Sequence, residues 1–74
     1  MKHITLIQKL LNEKNKKKLE GKKNLDEFIW DSMTMITLIS MLREKYNKKN
    51  INLEKMRSLK TISDLDNFIN SYIK

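Results

Sequence analysis

Apolar residues recur at helical spacing in three separate stretches of the chain. In residues 3 to 13, steps of three and four draw one helix face: Ile4, Ile7, Leu10 and Leu11. The strongest period covers residues 32 to 46 and predicts a core-facing stripe of Met35, Leu38, Ile39, Leu42 and Tyr46. A third run follows Thr61: Ile62, Leu65, Phe68, Ile69, Tyr72 and Ile73. No alternating pattern of useful length occurs, so the sequence predicts an all-α fold.

The polar segments between these runs predict one long connection and one short helix. Residues 12 to 27, NEKNKKKLEGKKNLDE, lose the helical period, and we expect a surface loop without secondary structure that Leu19, Leu25 and Phe28 pin to the core. Asn52 can cap a short helical turn in LEKMRSL, and Thr61 and Asp64 have the spacing of a capping box. The prediction for residues 1–74 is therefore a single domain, a small four-helix bundle with three main helices and one short helix.

The outer side of the second helix is weakly polar. At 100° per residue, the positions opposite the core stripe are Met33, Thr34, Thr37, Ser40, Met41 and Glu44, with Ile36 at the boundary. Two methionines on this face can be incidental exposure or can serve as adaptable contacts with partner proteins.

The Asp31-Ser32 pair at the start of this helix has two interpretations. Asp31 is a good N-cap, and Trp30 and Met35 then take the positions of a hydrophobic staple. That arrangement leaves Ser32 at the first helical position with a free hydroxyl. Such a hydroxyl is well placed to carry a phosphate, and the Asp31 carboxylate can help to hold Mg²⁺ during a phosphoryl-type transfer. Spacing alone favours the simple cap.

Composition argues against an enzyme. A chain of 74 residues buries a limited core, and it has no cysteine, one glycine and one histidine, His3, near a terminus that we expect to fray. These residues give no zinc cluster, no Cys-His or Ser-His pair and no glycine-rich phosphate loop. Asp64 and Asp66 are two residues apart on a helix and point to different faces. No stretch could span a bilayer or act as a secretory signal, so we expect a cytoplasmic protein without catalysis of its own.

The net charge of +7 raises a different possibility, a basic module. Six lysines fall within ten residues of the first connection: Lys14, Lys16, Lys17, Lys18, Lys22 and Lys23. The alternative function is accordingly a small helical module that binds nucleic acid or an acidic protein. A solvated loop explains the same run, and no predicted helix has a set of arginine, asparagine or glutamine side chains on one face that could read bases; the second helix has one arginine.

Taken together, Asp-Ser-Met before a Met/Leu/Ile-rich helix, and KTISDLDNFI in the last helix, resemble the acyl carrier protein family, including its peptidyl and D-alanyl relatives. The resemblance covers nearly the whole chain, with most of its specificity in residues 30 to 73. The residues WDSM are similar to those of D-alanyl carriers and of stand-alone carriers in specialised pathways.

The resemblance implies a specific function. Ser32 would receive 4′-phosphopantetheine from coenzyme A through a phosphopantetheinyl transferase, and Asp31 would assist this attachment. The arm would then hold an acyl or aminoacyl group as a thioester, supplied by a loading ligase and passed to a downstream transferase or synthase. Partner contacts are implied at Met33, Ile36, Thr37, Ser40 and Glu44. The carrier would be a monomer without a metal site; its cargo (fatty acyl, small acid or amino acid) stays open.

Two departures from the family pattern qualify these expectations. Ile29 stands where family members commonly have glycine, three residues before the serine. The second helix, usually acidic in the family, is not acidic here: Thr34, Thr37, Arg43 and Lys45 take positions that often carry acids, and Glu44 remains. Because charge complementarity governs encounter and partner choice, we expect a dedicated pathway rather than general fatty-acid synthesis. A carrier-like scaffold that has lost its arm is a third possibility, and the retained Ser32 speaks against it.

Overall fold

Four α-helices form the described part of the protein. The computed structural model describes residues 2–48 and 50–73. The helices are α1 (Ile4–Leu11), α2 (Ser32–Tyr46), α3 (Leu53–Arg57) and α4 (Ile62–Tyr72), with no strand among these residues. This confirms the predicted all-α bundle of three longer helices and one short helix. Within the same residues, no helix is both long and apolar enough to cross a membrane.

Two asparagines set the C-terminal ends of α1 and α2. Asn12 and Asn47 have φ of 54° and 53°, the left-handed conformation that asparagine tolerates better than most residues and that commonly ends helices. Helix α2 therefore has the predicted bounds, whereas α1 ends at Leu11, two residues before the predicted position.

The core is a single apolar cluster to which every helix contributes. Its buried members come from the four helices and from the first connection: Ile7, Leu10, Leu11, Leu19, Leu25, Leu38, Leu42, Met56, Ile62, Leu65, Phe68 and Ile69. Leu19 and Leu25 thus anchor the connection as predicted, and Phe28 packs partly buried against them. Met35 and Ile39 of the predicted stripe are partly buried. The prediction that Tyr46 faces the core is wrong. Tyr46 is 37% exposed, because it is the last residue of α2 and stands at the edge of the stripe.

The long first connection is ordered by contacts with the start of α4, which corrects the expectation of a loop without structure. It contains two short 3₁₀ turns, Lys16–Lys18 and Leu25–Glu27. Backbone hydrogen bonds join Leu25 N–H to the Lys60 carbonyl at 2.7 Å and Ile62 N–H to the Lys23 carbonyl at 3.0 Å. These bonds hold the segment that leads into Asp31 and Ser32 against the bundle.

Gly21 permits the closest part of this approach. Its carbonyl accepts the Ser63 N–H at 3.0 Å, and a Cβ added at Gly21 would lie 3.3 Å from the Ser63 Cβ. The sequence's one glycine therefore stands where the connection passes directly over α4.

Asp66 ties the beginning of the chain to α4. Its carboxylate is buried and accepts hydrogen bonds from the backbone N–H groups of His3 at 2.8 Å and Lys2 at 3.3 Å. The His3 ring lies 3.1 Å from the Asn70 side-chain oxygen. The expectation that the terminus frays near His3 is thus wrong, because Asp66 supplies acceptors that the N-terminal backbone of α1 lacks.

Helix α3 is short, but hydrogen bonds at its N-terminal end and one buried side chain hold it in place. The Asn52 side chain accepts the Lys55 N–H at 3.0 Å, which confirms the predicted cap, and the Asn52 N–H donates to the Tyr72 hydroxyl at 2.9 Å. Met56 is fully buried in the core. The predicted capping box of α4 is also present, with Thr61 and Asp64 bonding to each other's backbone N–H.

Candidate functional site

Asp31 caps helix α2 with one oxygen of its carboxylate. Oδ1 accepts the Thr34 backbone N–H at 2.9 Å and the Thr34 hydroxyl at 3.0 Å. Among the described residues, Oδ2 has no hydrogen-bond partner. The backbone N–H of Thr34, followed by its hydroxyl, lowers the pKa of Asp31 below its ordinary value. The carboxylate is therefore anionic at neutral pH, and its second oxygen is available to a cation.

Thr34 lies inside the first turn of α2, which corrects its predicted place on the outer face. It is only 7% exposed, and its hydroxyl donates to the Ile29 carbonyl at 3.0 Å as well as to Asp31. The buried residues of α2 are Thr34, Leu38 and Leu42, which are four residues apart, so the buried face includes Thr34 and differs from the predicted stripe. The two hydrogen bonds satisfy the hydroxyl and close the loop from residue 29 onto the helix.

Ser32 occupies the first position of α2 and is exposed. Its hydroxyl forms no hydrogen bond with any residue in 2–48 or 50–73, whereas the Thr37 hydroxyl on the same helix donates to the Met33 carbonyl at 2.9 Å. Trp30 and Met35, the residues of the predicted staple, are each partly buried against the core on either side of this turn. The structure thus gives Ser32 an unengaged hydroxyl on a firmly held helix end.

A small cleft opens beside Ser32 between α2 and α3. Its volume is about 140 Å³, and it is lined by Ser32, Met35, Ile36, Ile39, Leu53 and Arg57. The lining is apolar apart from Ser32 and Arg57. Leu53 and Arg57 were not predicted to belong to the site, because they lie more than twenty residues beyond Ser32 in the sequence. The only signal for Arg57 is composition: it and Arg43 are the two arginines of a chain rich in lysine.

The predicted contact residues form one exposed face that begins at Ser32. Met33 is 75% exposed and Ile36 is 58% exposed. Thr37, Ser40 and Glu44 are exposed on the same helix. All five predicted contact residues are therefore exposed on α2, and Met33 and Ile36 are the two closest to Ser32 along the helix.

Met41 differs from its prediction. It is partly buried and packs against the core instead of lying on the outer face, so Met33 is the methionine that α2 presents to solvent.

The lysine-rich run lies on the first connection and is largely solvated. Lys14, Lys16, Lys17, Lys18 and Lys22 are exposed, and Lys23 is half-buried. Lys18 forms an ion pair with Glu13 at 3.9 Å, the sole ion pair within the part of the chain that the structure describes. None of these lysines lines the cleft beside Ser32.

Comparison of the chain with protein-family models, with curated proteins and with solved structures gave no match in any of the three.

Proposed function

We propose that this protein is a discrete carrier that holds an acyl or aminoacyl group as a thioester on a 4′-phosphopantetheine arm attached to Ser32. The single observation that carries the proposal is the exposed, unengaged hydroxyl of Ser32 at the first position of α2. The anionic Asp31 beside it has one oxygen unused by the helix cap. Phosphoryl-type transfer needs an accessible hydroxyl on the acceptor, and a nearby carboxylate that can help to hold Mg²⁺ favours the reaction.

The attachment reaction uses this chain as a substrate of a phosphopantetheinyl transferase. The Ser32 oxygen attacks the phosphorus of coenzyme A that bears the pantetheine, so a phosphodiester forms and the bond to the departing adenosine bisphosphate breaks. The hydroxyl proton passes to a base of the transferase. Asp31 Oδ2 assists by helping to place Mg²⁺. The arm then supplies the thiol that the chain lacks, since the sequence contains no cysteine.

The exposed face of α2 gives partner enzymes a surface beside the attachment point. Met33 and Ile36 are the large apolar side chains on this face, and both are more than half exposed. Thr37 is also exposed, and its hydroxyl donates to the Met33 carbonyl within the helix. A loading ligase and a downstream transferase or synthase can therefore dock on α2 through apolar contacts, with Glu44 as its acidic residue. The departure from an acidic second helix supports a specialised pathway.

The test is a gain of mass on incubation with coenzyme A, Mg²⁺ and a broad-specificity phosphopantetheinyl transferase. The parent protein gains one phosphopantetheine, and Ser32→Ala gains none. Ser40→Ala is the matched control, because Ser40 is exposed on the same helix and has no capping aspartate. Equal modification of Ser32→Ala, or no gain with a cognate transferase, contradicts the proposal.

The exposed lysine run supports a second candidate, a basic module that binds nucleic acid or an acidic protein. Five of the six lysines are exposed. Counterion release predicts that affinity for a nucleic acid falls steeply as salt rises. Binding of single-stranded and duplex oligonucleotides across a salt series separates the candidates, since a steep fall that Lys16→Gln and Lys18→Gln reduce favours this module. Absence of binding at low salt counts against it.

A further inference from the structure

Arg57 shares the Ser32 cleft and has no carboxylate partner among the described residues. Both residues line the cleft of about 140 Å³, and the rest of its lining is apolar: Met35, Ile36, Ile39 and Leu53. The ion pair found in residues 2–48 and 50–73 joins Lys18 to Glu13, so no described acid engages the Arg57 guanidinium. Arg57 is exposed, so its guanidinium is available to an anion that enters the cleft.

The backbone of α3 holds Arg57 in place. Its chain neighbour Met56 is fully buried, and Asn52 caps the helix through Lys55 N–H and donates its own N–H to the Tyr72 hydroxyl. The Ser58 N–H closes the turn through the carbonyls of Glu54 and Lys55. Arg57 therefore projects from a fixed point, and only its side chain has to be ordered when it binds a partner.

A phosphate on Ser32 creates a need for a cation at this position. Asp31 is an exposed carboxylate, and a phosphodiester on the adjacent residue adds a second negative charge beside it. The N-terminal N–H groups of α2 offset part of this repulsion, but Asp31 already occupies the Thr34 N–H. Arg57 is the one cationic residue on the cleft lining.

We propose that Arg57 is a positioning residue that binds the phosphate of the group attached to Ser32 and thereby orients the arm along the α2–α3 cleft. This inference rests on the proposed function. Arginine suits the role better than lysine because its planar guanidinium can donate two hydrogen bonds to one phosphate. The bond also joins α2 to α3 in the modified protein, so the attached phosphate contributes to the stability of the bundle.

The two arginines of the sequence make a direct test possible by NMR. A ¹⁵N-labelled protein gives two arginine Nε–Hε signals, and Arg43 on α2 serves as an internal control outside the cleft lining. Spectra are recorded before and after attachment, with intact mass confirming complete modification. We expect the Arg57 signal to shift and its proton to exchange more slowly with water, while the Arg43 signal stays in place. Raising the salt from about 0.1 M to about 1 M shortens the screening length from about 10 Å to about 3 Å and reduces the shift.

A thermal measurement supplies a second readout. Attachment should raise the Tm of the parent more than that of Arg57→Gln by about 1–8 °C, the range for one exposed charged pair in a domain of this size. Arg57→Lys should recover part of this difference. Lys55→Gln, on the same helix but outside the cleft lining, should behave as the parent does.

The outcomes separate the two proposals. A modified protein in which the Arg57 signal is unchanged, or in which Arg57→Gln and the parent respond equally, overturns the role of Arg57 and leaves the carrier function intact. An unmodified mass under all conditions overturns both.

Discussion

The carboxylate of Asp31 binds Thr34 twice through a single oxygen. The Thr34 N–H and hydroxyl lie 2.9 Å and 3.0 Å from Oδ1, and Oδ2 is unused by the described residues. The cap and an assisting role in attachment are therefore compatible, because they use different oxygens of the same group. The spacing of Asp31 and Ser32 made these interpretations look like alternatives, and the geometry removes the conflict between them.

Replacing Asp31 should separate its two roles. Asparagine caps a helix about as well as aspartate, so Asp31→Asn should keep the Tm near that of the parent, whereas Asp31→Ala should lower it. Both variants should slow attachment to Ser32 by at least about tenfold, the low end for loss of a group that positions a metal. Circular dichroism melts and kcat/KM of the transferase give the two readouts. Attachment to Asp31→Asn at the parental rate would reduce Asp31 to a cap.

The pKa of Asp31 should depend on the hydroxyl of Thr34. Thr34→Val removes the hydrogen bond from the Thr34 hydroxyl and keeps the stronger influence, the hydrogen bond from the backbone N–H. The pKa of Asp31 should therefore rise part of the way toward its ordinary value. A ¹³C NMR titration of the Asp31 carboxyl measures it. Thr37→Val is the matched control, because the Thr37 hydroxyl bonds to the Met33 carbonyl instead. An identical pKa in Thr34→Val and the parent would contradict this assignment.

The lowered pKa of Asp31 also determines the direction in which its contribution to stability changes with pH. Since Asp31 releases its proton more readily in the folded state, its contribution to stability is fully present above the pKa of an unfolded aspartate, about 3.9. It is lost as the pH falls through the lower folded pKa. The Tm difference between the parent and Asp31→Ala should therefore shrink below that window, and a difference that grows with acid would contradict the sign.

Asp66 should be a major stabilising residue although it is remote from Ser32. Asp66→Ala leaves the backbone N–H groups of Lys2 and His3 without their buried acceptor, and we expect a loss of about 1–3 kcal/mol in the free energy of unfolding. Urea unfolding measures it, and Asp26→Ala is the control because Asp26 is exposed. The His3 amide proton should also exchange faster in Asp66→Ala than in the parent. Equal stability of Asp66→Ala and Asp26→Ala would argue against a stabilising role for the bonds to Asp66.

Met33 and Ile36 should matter for partners and not for the fold. Both are exposed, so Met33→Gln and Ile36→Gln should change the free energy of unfolding by less than about 0.5 kcal/mol. Each should lower kcat/KM for attachment by at least about fivefold, which corresponds to the loss of about 1 kcal/mol at an interface. Thr5→Gln, at an exposed position of α1, tests whether any surface change has this effect. Unchanged kinetics in both variants would place the docking surface elsewhere.

Local patterns predicted the helices well because their signals are close together in sequence. The period of α2, the cap at Asp31 and the boundary after Tyr46 all lie within one segment, and the structure has the predicted bounds. The caps at Asn52 and Thr61 follow the same logic.

Tertiary hydrogen bonds account for what the patterns missed. Asp66 lies 63 residues from His3, and Lys60 binds Leu25 across the first connection, so neither contact has a periodic signal. Thr34 was misplaced because the loop carbonyl of Ile29 gives a buried hydroxyl its partner. Arg57 joins the cleft only because α3 folds back beside Ser32.

The most direct test of the account is fragment mass spectrometry of the protein after incubation with coenzyme A, Mg²⁺ and a phosphopantetheinyl transferase. The chain offers other exposed serines, including Ser40 on α2, so the fragments can locate the modification. The account predicts that the phosphopantetheine mass is found on fragments that contain Ser32 and on no others, and that Ser32→Ala stays unmodified while retaining its helical spectrum. A modification at another serine, or none with a cognate transferase, would contradict the assignment of Ser32 as the attachment site.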